Sequence, residues 1–208
     1  MNERQTEIRR GLRLEYVTLG YNVVEAAVSI VSGLLAGSVA LIGFGVDAVI
    51  ESISGSIMLW RLNADEHHRR EEFEKRALKL IGWSFLLLAA YVGYEALEKL
   101  WVREAPERSV PGIVIACCSM VIMPVLARKK RAVGQSIGSA AMVADSRQTQ
   151  LCSWLSAILL GGLLLNAAAG WWWADPVAGL AMTPMIAREG LAGLRGEACG
   201  CGAGNCHG

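Results

Sequence analysis

The sequence predicts an all-α, polytopic membrane protein with six transmembrane helices and both termini in the cytoplasm. Three observations predict it. Of the 208 residues 53% are hydrophobic, while the charged 19% are crowded into short blocks. Between those blocks lie apolar runs of about twenty residues, the length a helix needs to cross a bilayer core at about 1.5 Å per residue. The alternating ten-residue segments of a membrane β-barrel are absent from the sequence. Backbone groups in lipid must be satisfied internally, so the runs are helices. Several such runs exclude a soluble single-core globule and a disordered chain. The net charge of +1 lacks the basic excess usual in a nucleic-acid binder.

The spans follow in order. The first, 14–36, begins after a polar, basic start, and Ala36-Gly37-Ser38 separates it from the second, 38–60. A charged loop containing His67 and His68 leads to the third, 77–100. The fourth, 110–127, ends at the run Arg128-Lys129-Lys130-Arg131. The fifth, 138–168, and sixth, 171–188, are joined through Gly170 and Trp171-Trp172-Trp173. The expected organisation is a cytoplasmic N-terminus, 1–13, a six-helix domain, 14–196, and a cytoplasmic tail, 197–208.

Charge orients the chain, because basic residues are retained on the cytoplasmic side. Sixteen of the twenty Lys and Arg residues fall on one side, counting Arg128 to Arg131, whereas Lys99, Arg103 and Arg108 fall on the other. Both termini are therefore expected in the cytoplasm of what we read as a bacterial inner-membrane protein. The Trp triplet then lies at the outer interface, which favours indoles. The polar stretch Met1 to Arg13 excludes a cleavable signal peptide as the first element. Cys117, Cys118 and Cys152 fall within spans, and Cys199, Cys201 and Cys206 in the tail. With none in an outer loop, reduced thiols are expected rather than structural disulfides.

Ionisable residues inside spans are functional candidates, because an ionised side chain at mid-bilayer costs about 2.5–3.5 kcal/mol on insertion scales. Here they are Glu25, Asp47, Glu51, Glu95, Asp145 and Arg147. Asp47 and Glu51 are one turn apart on one face. Two adjacent carboxylates in low dielectric need a cation, a proton or a basic partner. On the fifth span Asp145, Gln148, Thr149, Cys152 and Ser156 form one stripe. Small polar residues such as Thr149 and Ser156 read as helix packing. Gln148 and Cys152, facing Asp47 and Glu51, complete a four-ligand set suited to a divalent ion such as zinc or cadmium. Arg147 either snorkels to the cytoplasmic side or pairs with Glu25, Glu51 or Asp145.

These residues carry a resemblance. Residues 12–196 resemble the transmembrane domain of the cation diffusion facilitator family, proton-coupled exporters of divalent metals. The stretch from Gly37-Ser38-Val39-Ala40-Leu41 through Asp47-Ala48-Val49-Ile50-Glu51 is similar to the family's second helix. Ala140 to Cys152 resembles the start of the fifth, and Asp175-Pro176 the start of the sixth. The resemblance implies six spans, both ends cytoplasmic, and metal ligands at Asp47 and at Glu51, where Asp is usual. The family's fifth-helix pair is His or Asp, then Asp; here Gln148 and Cys152 stand in those positions. An amide and a thiol move preference toward softer ions such as cadmium, zinc or lead. Asp145, Asn22 and Glu25 are further candidates for a metal or proton site. Most of the family carry a cytoplasmic domain after the sixth helix, so this chain resembles a short subgroup without it. A homodimer through the membrane helices is expected, with Gly33-x3-Gly37 and Gly134-x3-Gly138 permitting close approach.

The tail holds Cys199, Cys201, Cys206 and His207 between glycines, a set able to wrap one soft cation. The alternative is an unstructured tail with incidental cysteines. His67 and His68 read as a solvated loop among its charges. The leading reading is a secondary transporter that exports a divalent transition metal, zinc or cadmium, in exchange for protons. Metal and proton are then its partners, and no cofactor is tightly bound. It is read as a transporter and not as an enzyme: H-E-x-x-H is absent, and so is any nucleotide motif. The rival reading is a non-transporting membrane metal-sensing or thiol protein that uses the tail.

Overall fold

Two serine-capped turns set the frame of the computed structural model, which describes residues 3–63, 70–103 and 106–195. Among these residues the chain forms six α-helices and no strand. They are α1 (Glu3–Ala36), α2 (Val39–Asn63), α3 (Arg70–Val102), α4 (Val110–Ser136), α5 (Ala140–Ala169) and α6 (Ala174–Arg195). His67, His68 and the tail residues Cys199, Cys201, Cys206 and His207 lie outside the described residues.

The turn between α1 and α2 bends at Gly37, at φ +64°, where a Cβ would be strained. Ser38 then caps α2, its hydroxyl accepting from the Leu41 amide at 3.1 Å. Gly138, at φ +67°, and Ser139 repeat the device between α4 and α5, with the Met142 amide donating to the Ser139 hydroxyl at 3.3 Å. In each hairpin a glycine lets the helices close. A Cβ on Gly33 would meet the Ile42 amide nitrogen at 2.9 Å, and one on Gly134 the Val143 amide nitrogen at 3.0 Å.

The two turns lie at opposite ends of the molecule. At the α1–α2 end, Glu107 donates its amide to the Ala36 carbonyl at 2.8 Å, and Asn166 binds the Pro106 carbonyl at 3.0 Å. There Asp175, at the start of α6, accepts from the Ser38 hydroxyl and from the Val39 amide at 3.0 Å. At the α4–α5 end, Ser136 donates to Glu7 at 3.5 Å, and Val133 and Met142 pack with Leu14 and Ile137. Asp175 is buried and serves a helix terminus, so Asp175→Ala is expected to lower stability by about 1–2 kcal/mol, read as a lower unfolding midpoint in micelles.

Helices α1, α2, α5 and α4 contact one another in a closed ring, while α3 and α6 pair and dock against α2 and α5. The distribution of polarity is inverted relative to a soluble protein. Val17, Val24, Val31, Leu35, Leu87, Val121 and Trp101 face outward, whereas Glu15, Asn22, Glu25, Asp47, Glu51, Lys130 and Asp145 are buried. An apolar exterior around a polar interior is what lipid solvation demands. Four helical stretches are apolar and long enough to cross a membrane by length and composition: Gln5–Ala36, Val39–Ile57, Val110–Ser136 and Asp145–Ala169. They belong to the ring.

Several helices run past the expected spans, and one boundary changes the reading of the charges. The fourth span was expected to end at 127, yet α4 runs unbroken to Ser136. Arg128 to Arg131 is therefore one helical turn and not a loop. At 100° per residue one of the four must face inward. Arg128, Lys129 and Arg131 are exposed, and Lys130 is 1% exposed, so Lys130 is a core residue and not part of the cytoplasmic basic count.

Candidate functional site

The polar interior of the ring is built by four helices. From α2, Asp47 and Glu51 point inward one turn apart, 6% and 2% exposed. From α5 come Thr149 and Cys152, both buried, and Gln148, which is half-buried. Helix α1 supplies Glu15, Asn22 and Glu25, and α4 supplies Ser119 and Lys130.

Cys152 brings the two carboxylate-bearing helices together. Its thiol lies 4.0 Å from Glu25 Oε2 and within electrostatic range of Glu51. Asp47 is within electrostatic range of Glu25, Glu51 and Cys152. Of the expected ligand set, Asp47, Glu51 and Cys152 thus share one buried region, and Gln148 adjoins it with Nε2 unpartnered. Among the described residues no group of three or more His, Cys, Asp or Glu side chains is gathered closely enough to hold a metal ion. Glu25 is engaged by Ser119, whose hydroxyl donates to it, and Ser119 is 2.7 Å from the Tyr21 hydroxyl.

A second limb centres on Lys130. Its ammonium donates to Glu15 Oε2 at 2.9 Å, to Asp145 Oδ2 at 2.6 Å and to Thr149 Oγ1 at 3.5 Å. Thr149 in turn donates to Glu51 Oε1 at 2.8 Å. Asp145 is therefore an ion-pair partner within the protein, and its pairing is with Lys130. Arg147, one of whose expected partners was Asp145, is exposed and lies within electrostatic range of Glu189 on α6. Glu95 is half-buried on α3. Among the described residues several buried polar atoms have no hydrogen-bond partner: both side-chain atoms of Asn22, Glu51 Oε2, Glu15 Oε1 and Asp145 Oδ1. Such atoms are costly unless a proton, water or ion meets them.

Glu15, Lys130, Ser119 and Tyr21 were not among the expected site residues. For the pairing of α2 with α5 the sequence held a further signal. Gly33, Gly37, Ser38, Asp47 and Glu51 recur 101 residues later as Gly134, Gly138, Ser139, Gln148 and Cys152. By their matching turns and caps α1–α2 and α4–α5 are hairpins of like build, with their turns at opposite ends.

Comparison with known proteins agrees with this arrangement. A family model described as the cation efflux transmembrane domain matches residues 16–195. The chain is 27% identical over 174 residues to a protein of Methanocaldococcus jannaschii described as an uncharacterized transporter, covering 80% of this chain and 61% of that one. It is 26% identical over 148 residues to transmembrane protein 163 of Xenopus laevis, covering 69% of this chain and 51% of that protein. The matched part is thus less than two thirds of either relative.

Proposed function

The chain belongs to the cation efflux family, and from that premise we propose that this integral membrane protein exports a divalent transition metal, zinc or cadmium, in exchange for protons. The observation that carries the reading is the burial of Asp47 and Glu51 on α2 and of Cys152 on α5 in the same polar interior of the ring. Among the described residues no basic side chain forms an ion pair with them. A divalent cation meets that charge, and a thiolate among carboxylates favours the softer ions. Gln148 adds its amide oxygen, while Asn22 and Glu25 complete the shell. Asp145 is held by Lys130 in this state and joins only if that pair opens.

Metal binding displaces protons from the ligands, and returning protons expel the metal, because affinity depends on deprotonation. Export of positive charge against the membrane potential costs about 2.3 kcal/mol per charge per 100 mV. Inward protons offset it. The reading includes six spans, with both termini cytoplasmic and the Trp triplet outside, in a bacterial inner membrane. It also includes a homodimer through the helices and metal capture by Cys199, Cys201, Cys206 and His207. Support comes from the basic asymmetry, from α1–α2 and α4–α5 as oppositely directed repeats, and from the family.

Everted vesicles loaded with a pH gradient test it. Zinc or cadmium uptake is expected to depend on the gradient and to collapse on adding a proton ionophore. Gradient-independent uptake sinks the antiport. Deleting residues 197–208 is expected to leave metal resistance reduced but measurable. A metal-sensing or thiol protein acting through its tail would lose all of it.

A further inference from the structure

Lys130 has donors and no acceptor, and this fixes the direction of everything bonded to it. Its three N–H groups match three oxygens, on Glu15, Asp145 and Thr149. Because the Thr149 hydroxyl faces the ammonium, its own single proton must go elsewhere. Two acceptors are in reach: Glu51 Oε1 at 2.8 Å and the Asp145 backbone carbonyl at 3.3 Å. The carboxylate is the nearer, and a hydroxyl already accepting from a cation is the stronger donor. Glu51 is thereby held on one oxygen, while Oε2 is left without a protein partner.

We propose that Lys130 is a positioning residue for the cation site: acting through Thr149, it fixes Glu51 so that Oε2 is presented to the incoming cation. This rests on the reading of Glu51 and Cys152 as cation ligands. The network touches every helix of the ring, with Glu15 on α1, Glu51 on α2, Lys130 on α4 and Asp145 with Thr149 on α5. Among the described residues Lys130 makes no hydrogen bond or ion pair with Asp47, Glu51, Gln148 or Cys152; besides its electrostatic field at Glu51, its effect on the site passes along the bonds through Thr149.

The test is cadmium binding to the purified full chain, followed by thiolate-to-cadmium charge-transfer absorption. Subtracting a Cys152→Ser sample isolates the band that belongs to Cys152. Thr149→Val keeps the side-chain volume and removes the hydroxyl. It is expected to raise the cadmium midpoint about tenfold, the loss of one hydrogen bond to a charged group. The charge-removed variant Glu15→Gln/Lys130→Met/Asp145→Asn is expected to weaken binding at least as much. Adding Thr149→Val to it should weaken binding no further, because both changes cut the same chain. An unchanged midpoint in Thr149→Val overturns the proposal, as do losses that multiply in the combined variant. A missing Cys152 band in the unsubstituted protein instead removes the ligand assignment on which the proposal rests.

Discussion

Asp47→Ala is expected to reduce zinc or cadmium uptake into everted vesicles by at least about thirtyfold, with the protein still present in the membrane. The size follows from removing one charged partner of a buried cation contact, worth about 2 kcal/mol or more. Asp47 makes no ion pair with a protein cation among the described residues. Its loss therefore takes charge from the site without stranding a basic group, and folding should be little affected. Asp47→Asn distinguishes charge from shape: it keeps the volume and an oxygen, and should lose nearly as much transport. Uptake at the unsubstituted rate in either variant refutes the assignment of Asp47.

Lys130→Met is expected to do the opposite, damaging stability first. It leaves Glu15 and Asp145, 1% and 7% exposed, without their shared cation. Breaking a buried pair from one side costs about 3–5 kcal/mol, whereas removing all partners together is close to neutral. Unfolding in micelles should therefore show a large drop for Lys130→Met. Most of it should return in Glu15→Gln/Lys130→Met/Asp145→Asn. If the single variant is as stable as the parent, the ammonium is not the counter-ion of those two acids.

The helices were legible because lipid imposes a simple rule, and a run of about twenty apolar residues satisfies it. A helix lies at each of the six expected spans, and four of them hold a stretch long and apolar enough to cross a membrane. The Asp47/Glu51 pair was legible for the same reason, since carboxylates in such a run have no bland explanation. Lys130 was not legible. Its neighbours Arg128, Lys129 and Arg131 are solvent-facing charges, and hydropathy averages over the turn that separates them from it. Nor was Glu15, which a polar, basic approach to the first span makes look like part of a cytoplasmic edge. Both are defined by contacts across more than a hundred residues, such as Glu15 with Lys130. Periodicity within one helix carries no information about those.

The paired hairpins have a consequence for how the two halves have shared the work. Corresponding positions carry Asp47 and Glu51 in one copy, Gln148 and Cys152 in the other. On the proposed reading, one half supplies two carboxylates to the cation and the other an amide oxygen and a sulfur. Four acids at these positions would attract any divalent ion strongly, magnesium included. Two acids facing an amide and a sulfur make a weaker trap that discriminates by softness. On the proposed reading, the two unlike hairpins together provide a filter that neither provides by itself.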